Sequence, residues 1–228
     1  MGIVGTMERC FIINIGFHSD VGLRRISDSY VKKGEKIIII SGPENPTSLK
    51  AIEEFKHFAS KLGLDNNLVT TIHMNFDRPW ESIVKLTEVI KKECGDRHLI
   101  LELGGGMRGA SVLVLLSALA SGQKFSIESA IEGSPETLRI PYGFIDFIIN
   151  RFGTKDGEIL EAILESPRAS YKEIAAKLHI GEKTVINRIS RLRKIGLVEK
   201  RGRGYPALTP WGEAAARLNM LPESSEIE

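Results

Sequence analysis

The 228-residue sequence predicts an α/β fold, a doubly wound and mostly parallel sheet followed by a small domain of helices and one hairpin. Three observations lead there. From Cys10 to about Ile140, short apolar runs rich in Ile, Val and Thr alternate with longer amphipathic stretches. The apolar runs lack strict polar alternation, as strands covered on both faces do. From Lys155 onward the strand rhythm stops and helical periodicity takes over. The predicted division is a sheet domain over 1–140, a linker helix over 141–153, a second domain over 154–221 and an acidic tail over 222–228.

The predicted strands are 10–16, 36–42, 68–75, 98–104 and 125–133, with 137–142 returning as an antiparallel edge hairpin after Gly133-Ser134-Pro135. Helices are expected at about 20–32, 47–63, 79–94 and 107–122, where Asn45-Pro46, Arg78-Pro79 and Gly95 supply boundaries. Phe144, Phe147, Ile148 and Phe152 recur at helical spacing, so 141–153 reads as a buried helix. Cys10 and Cys94 have no CxxC partner, so the expectation is two thiols, with neither a disulfide framework nor a metal site. Hydrophobic residues make up 42% and charged residues 26% of the chain, which excludes wholesale disorder. No run reaches the roughly 20 apolar residues of a membrane span and the start lacks a signal-peptide pattern, so a cytoplasmic protein making no membrane contact is expected.

Charge is informative once divided. Residues 1–153 hold 18 basic and 18 acidic side chains, residues 154–221 hold 13 and 8, and the last seven residues add three Glu. Only the second domain is equipped to meet a polyanion.

In that domain, helices are expected at 155–165, 170–178 and 182–194. Ser170 followed by Glu173 forms a capping box, and His179-Ile180-Gly181 makes a tight turn. The next helix buries Val185, Ile189 and Leu192 and leaves Lys183, Thr184, Asn187, Arg188 and Arg191 outward. Two short strands, 197–201 and 205–208, flank Gly202-Arg203-Gly204, and Thr209-Pro210 restarts a helix. The run EIAAKLHIGEKTVINRISRLRKIGLVEKRGRG followed by LTPWGEAAARL resembles a winged helix-turn-helix DNA-binding domain. Such a helix fits the major groove of double-stranded DNA. Asn187, Arg188 and Arg191 are the expected base readers, with Lys183, Arg201 and Arg203 at phosphate or minor groove and Thr184 also on the DNA-binding face. A protein-docking module with a solvated basic face is the competing reading.

In a doubly wound sheet, ligands sit beyond the strand ends where strand order reverses, between the first and fourth strands in the common order. Here the first strand exits at Gly16-Phe17-His18-Ser19-Asp20 and the fourth at Gly104-Gly105-Gly106-Met107-Arg108-Gly109. Glycines allow close approach of an anion to backbone amides at a helix start, and Arg108 adds charge. Tight strand-to-helix packing is the competing account of the glycines, although three together with an Arg exceed what packing needs. Gly104, Gly106 and Gly109 also satisfy GxGxxG, which raises an NAD-binding Rossmann enzyme fused to a docking winged helix as a further alternative, but that fingerprint belongs after the first strand.

The motifs NIGFHSD (14–20) and ELGGGMRG (102–109), together with the winged helix, resemble the CRISPR-associated Rossmann-fold (CARF) transcription regulators, particularly those of archaeal type I-A systems. The resemblance implies a Rossmann-like sensing domain and a homodimer with cyclic tetra-adenylate in a cleft across the two-fold. It also implies control of CRISPR-associated genes in antiviral defence. Ligand-binding residues carried over are Gly16, Phe17, His18, Ser19, Gly104, Gly105, Gly106, Met107 and Arg108. Neither a cofactor nor a metal is required. A ring nuclease using Ser19, His18 or Arg108 to position a ribose hydroxyl stands as the enzymatic alternative. Trp211 and the Ala-rich helix after it either contribute to assembly or pack on the wing.

Overall fold

The computed structural model describes residues 8–28, 31–32, 34–131, 134, 136–150, 155–201 and 205–221. Gly133, Pro135, Phe152, the wing tip with Arg203, and the acidic tail lie outside them. Contacts divide the chain between Arg139 and Ile140 into two compact units.

The first unit follows the expected βα rhythm: β1 (Arg9–Asn14), α1 (Asp20–Asp28), β2 (Lys36–Ser41), α2 (Pro46–Lys61), β3 (Val69–His73) and α3 (Pro79–Val89). It continues with β4 (His98–Glu102), α4 (Arg108–Ser121), β5 (Phe125–Ala130) and β6 (Thr137–Ile140). Strand order is β3-β2-β1-β4-β5-β6. The β1–β2, β1–β4, β2–β3 and β4–β5 pairs are parallel. The β5–β6 connection is too short for a parallel crossover, which makes β6 an antiparallel edge. The order reverses between β1 and β4, so their carboxyl ends open the crevice the sequence pointed to.

Alternate residues of β1 and β2 serve opposite faces. Phe11, Ile13, Ile37 and Ile39 pack with Ile26, Ile52 and Phe55 under α1 and α2. The other face lies beneath α4, which touches β1 and β2 and packs beside α3. That pattern explains why these strands read as continuous apolar runs.

Two expectations change here. Helix α3 ends in a π-helical turn over Ile90–Cys94. Its last residue is joined to β1 by a Cys10–Cys94 disulfide with Cα atoms 5.5 Å apart, so the cysteines are not free thiols. They are 84 residues apart in sequence, and their proximity is created by the parallel packing of β1 and β4 and the return of the chain from α3.

The second unit contains α5 (Tyr142–Asn150), α6 (Lys155–Glu165), α7 (Tyr171–Lys177), α8 (Glu182–Lys194), β7 (Val198–Arg201), β8 (Tyr205–Leu208) and α9 (Pro210–Asn219). Strands β7 and β8 pair antiparallel as a wing. The capping box is formed, with the Ser170 side chain accepting from the Glu173 amide and the Glu173 carboxylate accepting from the Ser170 amide. His179 holds a φ of +52° in the turn before α8. The core joins Ile159, Leu160, Ile163, Ile174, Val185, Ile189, Leu192 and Ala216.

The expected linker helix belongs to this unit. Phe147 is buried in its core, and Phe144 packs against Trp211 in a tilted arrangement with ring centroids 4.7 Å apart. Ile148, expected inside, is exposed, whereas Ile145 is buried. Trp211 thus packs on α5, and Ala215 and Ala216 are buried within the unit. No helix among the described residues is long and apolar enough to cross a membrane.

Candidate ligand cleft and nucleic-acid face

A cleft of about 920 Å³ opens at the carboxyl ends of β1 and β4. The loop after β1 contributes Gly16, Phe17 and His18, and the loop after β4 contributes Gly104 through Arg108. Phe17, His18, Met107 and Arg108 are exposed. The sequence motifs therefore meet across one crevice.

Glycine is required here by packing. A Cβ on Gly16 would lie 2.7 Å from the Gly106 Cα, which shows how directly the two loops abut. A side chain on Gly105 would run into the Asn14 carbonyl and Val21, and one on Gly104 would run into the Ala130 backbone. Gly106 takes a φ of +69° against the Asn14 side chain. Gly105→Val would consequently disturb β1 itself.

Buried polar side chains hold the β4–α4 loop. Asn14 Nδ2 donates to the Met107 carbonyl at 3.2 Å and to Ser111 Oγ at 2.9 Å, and Ser111 Oγ donates to the Leu103 carbonyl at 3.0 Å. Glu102, buried at the end of β4, accepts the Gly104 amide at 2.8 Å and the Ala130 amide at 3.0 Å through Oε1. The Gly104 N–H is thereby committed to Glu102, contrary to the expectation that it faces phosphate.

Further along, Met107 is the N-cap of α4 and makes no side-chain capping bond. Because an apolar residue caps this end, no capping side chain claims the first-turn amides, and Arg108 lines the cleft at the positive end of the helix dipole. Ser19 does not line the cleft. It is buried, and its Oγ donates to Glu54 Oε2 at 3.1 Å. Asp20, Val21 and Arg24 take its place on the wall, and Arg24 also donates to the Ser134 carbonyl at 3.2 Å. Asp20 and Arg24, four residues apart, share one face of α1, which is the signal that could have found Arg24.

In the second unit, Lys183, Asn187, Ser190 and Lys194 follow at spacings of four, three and four and are all exposed on α8. Thr184 and Arg191 flank that stripe. Arg188 lies on the same flank as Arg191 but further from the stripe, and its Nη1 meets Asp156 Oδ1 at 2.7 Å. Arg191 Nη2 contacts the other oxygen of the same carboxylate. Arg201 ends β7, and Arg203 lies outside the described residues. On α5, burial first and the Asp146 carboxylate next push the Tyr142 phenol up. Among the described residues no group of three or more His, Cys, Asp or Glu could hold a metal ion.

Residues 9–141 match the family described as the Csa3 CRISPR-associated Rossmann-like domain, and residues 154–199 match that described as winged helix-turn-helix DNA-binding. The CRISPR locus-related protein Csa3 of Saccharolobus solfataricus, whose name proposes DNA binding, is 22% identical over 198 residues, 86% of this chain and 81% of the relative. Among solved structures, Can2 from Sulfobacillus thermosulfidooxidans in complex with cyclic tetra-adenylate is 11% identical with a TM-score of 0.42 over 92% of this chain and 63% of that one. Csm6 from Enterococcus italicus bound to cyclic hexa-2′-fluoro-hexa-dAMP is 10% identical with a TM-score of 0.44, over 82% and 55%. The chain thus spans less than two thirds of each of these structures.

Proposed function

Given that the chain belongs to the Csa3 family of CRISPR-associated Rossmann-like proteins and carries a winged helix-turn-helix DNA-binding domain, we propose that it is a transcriptional regulator of CRISPR-associated genes responding to a cyclic oligoadenylate. The observation that carries this reading is the cleft at the β1/β4 reversal, large enough for several nucleotides and walled by two tightly abutting loops. At one side, the uncapped N-terminus of α4 and Arg108 offer donors and positive charge to a phosphodiester. Across from them, exposed Phe17 offers a ring face to an adenine, and Arg24 a second cation. An even-membered ring such as cyclic tetra-adenylate is favoured over cyclic tri-adenylate because it contains a two-fold axis, which suits a cleft shared by two copies.

Helix α4 supports such a pairing. Val112, Leu116 and Leu119 form an exposed apolar stripe, uninterrupted by charge, running down the helix from Arg108. Covering that stripe with its equivalent from a second copy would bring two clefts side by side. In the DNA domain, Thr184, Asn187 and Arg191 face the major groove, with Lys183 and the wing arginines Arg201 and Arg203 serving phosphate or minor groove.

The test is calorimetric titration of the full chain with cyclic tri-, tetra- and hexa-adenylate and with NAD, followed by chromatography of the recovered ligand. Tight binding of intact cyclic tetra-adenylate is expected. Arg108→Ala should weaken it roughly 10- to 100-fold, the range for losing a hydrogen bond to a charged group. Recovery of linear product would make the protein a ring nuclease. NAD binding with indifference to every cyclic oligoadenylate would overturn the reading, as would a monomeric mass with and without ligand for the dimer.

A further inference from the structure

Asp156 is the one strongly buried acidic side chain of the described DNA-binding unit, with its side chain 6% exposed in the first turn of α6. Both of its oxygens are engaged by arginines of α8, Oδ1 by Arg188 at 2.7 Å and Oδ2 by Arg191. The two arginines differ in what else they can reach. Arg188 is 36% exposed and sits towards α6, away from the outermost stripe of α8. Arg191 is 64% exposed and continues the series Thr184, Asn187, Arg191 at spacings of three and four along the groove-facing side. Only its tip turns back to Asp156. A guanidinium is planar with donors in a fixed fork, so a partner on one edge fixes the direction of the rest.

Building on the DNA-binding reading above, we propose that Asp156 is a specificity-determining residue of the DNA interface, acting by positioning Arg191. Its carboxylate cancels one of the two arginine charges, which lowers attraction to phosphate on any sequence. By holding the Arg191 fork in one orientation, it also lets that side chain meet a base edge productively at one position of the site. The same contact therefore weakens indiscriminate binding and sharpens discrimination. A salt bridge serving stability alone would do neither.

The experiment uses the full chain and two duplexes, one enriched by the wild-type protein from a randomised library and one scrambled from it, with affinities measured across salt concentrations. Asp156→Asn frees one cation and keeps the side-chain volume. It should tighten binding to the scrambled duplex about eightfold at 0.1 M salt and steepen the logarithmic salt slope by about 0.9, the effect of one added phosphate contact. Discrimination between the duplexes should fall at least about fivefold, the lower end for a lost bidentate base contact. Arg191→Lys keeps the charge and loses the fork, so discrimination should fall with the salt slope unchanged. In an Arg191→Ala background, Asp156→Asn should leave discrimination unaltered.

A folded Asp156→Asn protein with unchanged discrimination and slope overturns the proposal, whatever happens to its melting temperature. If Asp156→Asn does not fold, Arg191→Lys decides, and wild-type discrimination in that variant overturns it equally. Failure of the wild type to enrich any sequence would overturn the DNA reading and this proposal together, whereas enrichment by the wild type with unaltered variants defeats this proposal alone.

Discussion

Glu102 is the residue through which the stability of the first unit and the shape of the cleft are most directly joined. Its Oε1 accepts two backbone N–H groups, from Gly104 at 2.8 Å in the β4–α4 loop and from Ala130 at 3.0 Å at the end of β5. Both donors belong to residues on the cleft wall. Hydrogen bonds to a charged partner contribute about 1.5–3 kcal/mol each, so Glu102→Ala should cost about 3–6 kcal/mol. At about 3 °C per kcal/mol for a unit of this size, the melting temperature should fall by roughly 10–18 °C. Glu102→Gln keeps an oxygen in place but makes both bonds neutral, which should cost about 2–3 kcal/mol. The assay is urea and thermal unfolding of the three proteins, with hydrogen exchange followed at the Gly104 and Ala130 amides. Exchange at both should accelerate in Glu102→Ala, and the cleft should lose affinity for its ligand. Unfolding within about 1 kcal/mol of wild type, or unaltered exchange at both amides, would refute the reasoning.

Three other outcomes are expected. The disulfide closes a loop of 84 residues, for which the chain-entropy relation gives about 4.6 kcal/mol, so reduction or the Cys10→Ala/Cys94→Ala pair should lower the melting temperature by more than about 10 °C; two alkylatable thiols in unreduced, denatured protein would dismiss the bridge. Burial depresses the His98 imidazole pKa, opposed by Glu128, while His98 Nε2 sits 2.6 Å from Ser126 Oγ. The unfolded chain then binds this proton more readily, so stability should drop as pH falls below about 6.5 towards the depressed value, and His98→Gln should remove that part of the slope; equal pH profiles would dismiss the effect. On DNA, Asn187→Ala should lose about 1–3 kcal/mol on the enriched duplex with little change on scrambled DNA, whereas Lys183→Ala should weaken both alike and flatten the salt slope by about one, and anisotropy titrations check the split.

The element order was legible because it is written in local periodicity. Runs such as Lys36–Ser41 have no polar face, and the residues that flank them cap or break helices, so the alternation of strand and helix follows from neighbours in sequence. The glycine run could be assigned to a strand end for the same reason. The helix-turn-helix was legible through the Ser170–Glu173 capping box and the spacing of Val185, Ile189 and Leu192. What local pattern cannot carry is which polar atoms meet across the fold. The same glycines that sequence reasoning set against phosphate are packed on Asn14, Val21 and Ala130, residues 26 to 92 positions away. Ser19 turns to Glu54 because the approach of α2 to α1 brings that carboxylate within reach. Cys10 meets Cys94, and Arg188 and Arg191 meet Asp156, only once sheet register and helix packing have set their separations. Sequence periodicity fixes which face of an element is covered; the partner of each side chain on that face depends on register, crossing geometry and rotamer, which only the assembled tertiary structure supplies.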